Sequence, residues 1–181
     1  MKKYVALCLC LLLAAAAFGC AAKTPPVSDT LSGSLTDLMA SIRSGADALL
    51  DDESRLPMSF DSAADSENCQ GMLGLTPDQL EKYAEDAVVS TAAIGSHAYE
   101  LALVKCKDAA SAAEVKKLIA AGFDSGKWIC VFPDQSFVID SGSYVLLAAT
   151  TADAADALQQ SFRSLAGELV GEVKVFYTKS A

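Results

Sequence analysis

The feature that most limits the possible folds is a run of alternating residues that passes almost directly into a helical run, and does so twice. "HAYELALVKC" (97–106) places Tyr99, Leu101 and Leu103 on one side of an extended strand. Ala98, Glu100, Ala102 and Val104 fall on the other. Asp108 then offers a helix cap, and Val115, Leu118, Ile119 and Gly122 recur at helical spacing. The second copy is "SYVLLAAT" (143–150), capped by Thr151 and followed by Leu158, Phe162 and Leu165. Residues 99–122 and 144–167 align without a gap, matching Tyr99 to Tyr144, Leu101 to Leu146, Asp108 to Asp153 and Gly122 to Gly167. Much of the remaining identity is alanine, and the helical stripes fit better two residues out of register.

Each copy is preceded by another strand-like stretch. "AVVSTAAI" (87–94) meets the first at Gly95–Ser96. Phe137 and Ile139, alternating with Val138 and Asp140, meet the second at Ser141–Gly142. The predicted fold class is therefore α+β. Two β-β-α units form a four-stranded antiparallel sheet with both helices packed on one face. That arrangement sets Leu118, Ile119, Phe162 and Leu165 against Tyr99, Leu101, Leu103 and Leu146. The reverse face (Ala98, Glu100, Ala102, Val104, Val145, Leu147, Ala149) is too apolar to stay wet.

An N-terminal amphipathic helix is the expected cover for that reverse face. Leu35, Leu38, Met39, Ile42, Ala46, Leu49 and Leu50 keep helical periodicity, and Ser34 stands at the cap with Asp37 three residues on. A further helix begins at "LTPDQLEKYAED", where Thr76, Pro77 and Gln79 form a capping signature. Residues 51–70 are acidic, serine-rich and aperiodic, and are expected to be a long mobile loop. "ELVGEVKVFYTKS" alternates weakly and fits either a fifth strand or a loose tail.

The start of the chain addresses location. Lys2 and Lys3 precede an uncharged run from Tyr4 to Phe18 that ends at Gly19–Cys20. At about 15 residues the run is short of the roughly 20 that cross a bilayer as a helix, and the layout is that of a secretory signal over 1–19. "AFGC" (17–20) resembles the lipobox of bacterial lipoproteins, with Gly19 and Cys20 at its two most telling positions. Ala17 stands where leucine is commoner, and Phe18 is bulkier than usual. The resemblance implies cleavage before Cys20, a diacylglyceryl group on its thiol and anchoring to the outer face of the cell membrane. An ordinary signal peptide cut nearby, with Cys20 incidental, is the plainer alternative. Two acyl chains give a firm anchor, since each buried methylene adds on the order of 0.8 kcal/mol. Residues 20–34, rich in Pro, Ser, Thr and Gly, then read as the lipidated cysteine and a flexible tether, with one domain over 35–181.

Removing residues 1–19 takes away only Lys2 and Lys3, so the net charge moves from −9 to −11. A surface this acidic repels phosphate backbones and anionic headgroups. Nucleic acid is therefore excluded as a partner, and membrane contact is left to the lipid. The other expected partner is an unidentified protein of the envelope.

Three segments resemble a bacterial lipoprotein family labelled domain of unknown function 4358: the turn and helix "LGLTPDQLEKY", the strand-to-helix passage "ELALVKCKD", and "VIDSGSYVLLAA". With the lipobox they span about residues 71–166 of the folded part. The resemblance implies location, anchoring and fold, and carries no activity with it.

No residue stands out as catalytic, and neither a cofactor nor a metal site is expected. Gly-x-Ser-x-Gly, phosphate-binding glycine loops and histidine clusters are missing from the sequence. Asp61, Asp65 and Glu67 lack the spacing of a calcium loop. The pairs Asp51–Asp52 and Glu85–Asp86 are ordinary on an acidic surface. His97 is the one histidine. A strand separates it from Cys106, which rules out that thiol–imidazole pair, whereas Cys69 and Cys130 stay open as partners. Cys69, Cys106 and Cys130 are an odd set that allows one disulfide or none. Trp128, Phe132 and Phe137 read as core or loop anchors rather than a sugar platform. The expected function is a non-catalytic binding module of the envelope. The alternatives are a small-ligand-binding accessory of a transporter and a thiol-dependent enzyme.

Overall fold

The computed structural model describes residues 31–180. The stretch read as a signal peptide, Cys20 and most of the segment read as a tether lie outside the described residues. The fold is α+β around a six-stranded antiparallel sheet in the order β1-β2-β3-β5-β4-β6. The strands are β1 (Ser59–Ala63), β2 (Ala84–Ala92), β3 (Glu100–Cys106), β4 (Gln135–Ser141), β5 (Tyr144–Thr150) and β6 (Lys174–Thr178). The helices are α1 (Leu35–Asp47), α2 (Cys69–Leu73), α3 (Pro77–Tyr83), α4 (Ala109–Gly122) and α5 (Ala152–Ala166).

The four central strands are those expected from the two hairpin-helix units, and β3 and β5 pair through the middle of the sheet. Two further strands flank these four, one of them, β1, unexpected and the other, β6, one of the two alternatives left open for the tail. Residues 59–63, read from sequence as part of a mobile loop, form the edge strand β1, paired with β2 from Ser59↔Ala92 to Ala63↔Val88. The weakly alternating tail forms β6 on the other edge, paired with β4.

The helices do not share one face, and this corrects the expected packing. Tyr99, Leu101, Leu103, Phe137, Ile139, Leu146 and Ala148 pack under α1 and α5. Ala102, Val104, Val138, Val145, Leu147 and Ala149 pack under α4, with Cys69, Leu73 and Leu75 beside it. Helix α1 thus covers the face opposite to the one expected, because α4 already occupies the other. Leu165, expected inside, is 39% exposed, and Leu118 is half-buried.

Strand parity gives the reason. Two residues, Lys107 and Asp108, join β3 to α4, whereas Thr151 alone joins β5 to α5. Cys106, the last residue of β3, lies on the α4 side; Thr150, the last of β5, is in phase with Ala148 on the α5 side. A shift of one residue along a strand exchanges its faces. In the gapless alignment the strands therefore match in facing, with Tyr99, Leu101, Tyr144 and Leu146 all on the α1–α5 side, whereas the strand ends and the helices that follow do not correspond.

Local capping follows the sequence closely. The Ser34 hydroxyl accepts the Asp37 amide proton at 3.1 Å, and Asp108 Oδ1 accepts that of Ser111 at 2.6 Å. Thr76 and Gln79 close a reciprocal box. Thr151 caps α5 without a side-chain hydrogen bond. Leu31, in the segment read as tether, is 5% exposed and joins the α1 core, so packing begins before the helix. No helix among the described residues is long and apolar enough to cross a membrane.

Candidate functional site

Both sheet faces are covered by helices; concave surface remains beside α3 and the start of β2, in a pocket of about 400 Å³ at Leu80 and Ala87, and at the loop ends. At one end of the sheet a cleft of about 580 Å³ opens between four segments. The loop after α1 supplies Arg55 and Pro57, and the β2–β3 turn supplies His97 and Ala98. The segment before β4 supplies Cys130, Phe132 and Asp134, and the start of α5 supplies Thr151 and Asp153. Lys179, just past β6, closes the rim.

Backbone hydrogen bonds hold these walls in place. The Ala93 amide donates to the Met58 carbonyl at 2.8 Å, and those of Asp134 and Lys179 donate to Thr150 and Asp134, each at 2.9 Å. The rim carries charge of both signs, partly paired: Arg55 meets Asp52 at 3.0 Å, and Lys179 stands 3.8 Å from Asp134. Phe132 is 48% exposed and offers the cleft an aromatic face. Small-molecule sites commonly enclose some 300–1,000 Å³ with a few convergent polar groups, and this cleft falls within that range.

The single histidine and the one exposed thiol of the described residues both line this cleft. The other two cysteines do not reach it. Cys69 and Cys106 are buried under α4, and all three are free thiols. Burial pushes the Cys106 thiol up to about 12, with Asp108, Glu85 and Asp140 adding to the effect; Cys69 is raised by burial too. Both stay protonated and are poor nucleophiles at neutral pH.

The other residues singled out in the sequence are not brought together. Phe137 is buried on the α5 side, Trp128 packs against Phe123 at 6.5 Å on the α4 side, and Phe132 faces the cleft. They form no stacking platform. Asp61 lies in β1 near Arg43, while Asp65 binds the Glu67 amide at 2.9 Å. Among the described residues no group of three or more His, Cys, Asp or Glu is placed to hold a metal ion.

One polar feature was missed from sequence. Glu100 is 2% exposed beneath the segment that follows α4. Lys127 reaches it there, with Nζ 2.6 Å from Oε2, 2.9 Å from the Gly71 carbonyl and 4.6 Å from the Phe123 ring centre. Oε1 of Glu100 has no partner. Burial raises the carboxyl to about 7 against the opposing pull of Lys127. The signal was readable: Glu100 sits in phase with Ala98, Ala102 and Val104, so an inward-facing strand position holds a carboxylate that must find a cation. The pair holds the 124–134 segment, one wall of the cleft, against the sheet.

Comparison of the chain with family models, with curated proteins and with solved structures gave no match. The likeness to the lipoprotein family rests on the motifs quoted above.

Proposed function

We propose that this chain is a lipid-anchored protein of the outer face of the bacterial cell membrane, and that its folded domain is a non-catalytic binding module whose recognition site is the loop-lined cleft. The single observation carrying the binding reading is the cleft itself, a polar-rimmed concavity of about 580 Å³ where four segments meet at one end of the sheet. The signal-like start and the lipobox-like "AFGC" support the anchor. The acidic balance supports a domain held off an anionic surface and engaging a partner of the envelope.

Two measurements test this reading. The intact mass of protein extracted from membranes should equal the chain from Cys20 onward plus a diacylglyceryl group. Cleavage elsewhere or an unmodified Cys20 overturns the anchor. For the site, amide shifts are followed while envelope extracts are titrated into the domain. Perturbations clustered on residues 96–98, 131–134 and 151–154 support the cleft, and a footprint elsewhere overturns it.

The cleft volume also favours a second reading, an accessory lipoprotein that holds a small ligand for a transporter. The shared position of His97 and Cys130 is the one observation favouring a thiol-dependent enzyme. Cys130→Ser separates the two: it leaves ligand capture intact in the first and abolishes turnover in the second.

A further inference from the structure

Strand β1 is an open edge, and three observations converge on it. The first is its backbone. The Ala93 amide donates to Met58 and the Ala64 amide to Ala87, which fixes the ladder phase. In the β1–β2 register the pairs Phe60↔Thr91 and Ser62↔Val89 are then the hydrogen-bonded ones. Ser59, Asp61 and Ala63 consequently direct their main-chain groups away from the sheet. Of these, the Ala63 carbonyl is taken by Asn68 Nδ2 at 3.1 Å.

The second observation is apolar exposure. Met58 is 70% exposed and Phe60 68%, and Ile94, next to the residue paired with Met58, is 60% exposed. Proteins usually blunt an open edge with a lysine, a bulge or a covering segment. The opposite edge has such devices, with Lys174 and Lys179 at the ends of β6 and a bulge where β4 passes from Ser136 to Phe137. In its five residues β1 has no lysine, proline or bulge.

The third observation is charge. Residues 51–68 carry Asp51, Asp52, Glu53, Asp61, Asp65 and Glu67 against the single base Arg55. Arg55 is itself engaged with Asp52. Asp61 stands 3.8 Å from Arg43 and keeps a quarter of its side chain open, leaving room for a second cation.

We infer that the β1 edge is a docking site for an extended basic segment of a partner protein, added to the sheet as a seventh strand. Main-chain bonds to Ser59, Asp61 and Ala63 supply the affinity. Side chains of the added strand supply the selectivity, apolar ones beside Phe60 and Met58 and a Lys or Arg beside Asp61. A second copy of this chain is a poor occupant, because pairing two β1 strands brings two acidic segments together in a molecule already at −9. The inference does not depend on the cleft.

The test uses the chain from residue 20 onward and three capped peptides long enough to span β1. One alternates lysine with valine, the second replaces each lysine by glutamate, and the third is the lysine peptide with alternate amides N-methylated. Amide exchange is read residue by residue. With millimolar lysine peptide, exchange at Asp61 and Ala63 is expected to slow by about tenfold or more, as for amides newly joined to a ladder. The other two peptides are expected to leave it unchanged. Ala63→Pro removes an outward amide without touching the β2 ladder, and it should abolish the protection. Should that variant fail to fold, the N-methylated peptide on the unaltered chain decides instead. No protection with the lysine peptide overturns the inference, as does equal protection with either control. Protection that rises with protein concentration in the absence of peptide overturns it in favour of a second copy.

Discussion

Two positions, a glycine-to-glycine contact and a buried carboxylate, carry more of the structure than their size indicates. Gly122, at the end of α4, and Gly74, in the left-handed region at φ +69°, meet backbone to backbone. A Cβ on Gly122 would fall 2.2 Å from the Gly74 carbonyl oxygen, and one on Gly74 would fall 2.3 Å from the Gly122 carbonyl carbon. Neither neighbour is a side chain able to rotate away. Gly122→Ala is expected to cost about 2–4 kcal/mol and to lower Tm by about 5–15 °C, as a thermal melt would show. The second position is Glu100. Its folded pKa of about 7 lies above its ordinary value of 4.5, so the folded state binds the extra proton. The associated stability is fully present below pH 4.5 and is lost as pH rises through 7. Lys127→Met removes the one cation at the carboxylate. Its penalty should be small at pH 5 and about 3–5 kcal/mol at pH 8, where an unpaired charge would be buried. Denaturant titrations at the two pH values measure this, and equal penalties would dismiss the assigned role of the pair.

Among the elements, α1 closes one face of the sheet together with α5. It buries Leu35, Leu38, Met39, Ile42 and Ala46 over the sheet, and its backbone passes close enough to α5 for Ser161 Oγ to donate to the Ile42 carbonyl at 2.8 Å. Ile42→Ala is expected to cost about 2–5 kcal/mol. Deleting residues 35–50 should expose the face formed by Tyr99, Leu101 and Leu103 and give an aggregating chain. A stable monomer by light scattering would contradict that role. At this scale the sequence was informative about position along the chain wherever periodicity is strong: α1, α4, α5 and the four central strands fall near their expected residues, though the helices do not take the expected faces, and the caps at Ser34, Thr76 and Asp108 form as read. It was silent where an element has few buried side chains. Four of the five residues of β1 are exposed, so no alternation marks it. Its existence depends on a partner strand some 30 residues away, which local composition does not encode. The cleft was equally hidden, because its walls come from segments that meet only after the sheet has formed. Glu100 was legible in principle from its phase; Lys127, on an irregular segment, was not.

For the whole molecule, the thiols report on folding. Cys130 is exposed, while Cys69 and Cys106 lie under α4. In the native chain from residue 20 onward one of these three thiols should react rapidly with an aromatic disulfide reagent, and the other two only after denaturant is added. Two fast thiols among the three would mean that the α4 side opens in the native state. A thiol on Cys20 blocked by lipid would not enter the count.

Strands β3 and β5 end on opposite phases, Cys106 toward α4 and Thr150 toward α5, and that difference bears on which changes in length the gene can tolerate. Losing one residue within β3 would turn its end, and α4 with it, toward the side where α1 and α5 already sit, and adding one within β5 would turn α5 onto α4. Either event collides two helices and strips one face, so each is expected to abolish the fold. The turn at 95–98 and the segment at 128–132 carry no such phase, and single-residue insertions there should leave a soluble protein. A library of one-codon insertions and deletions, sorted for soluble expression, should therefore show gaps across β3 and β5 and broad tolerance at these turns.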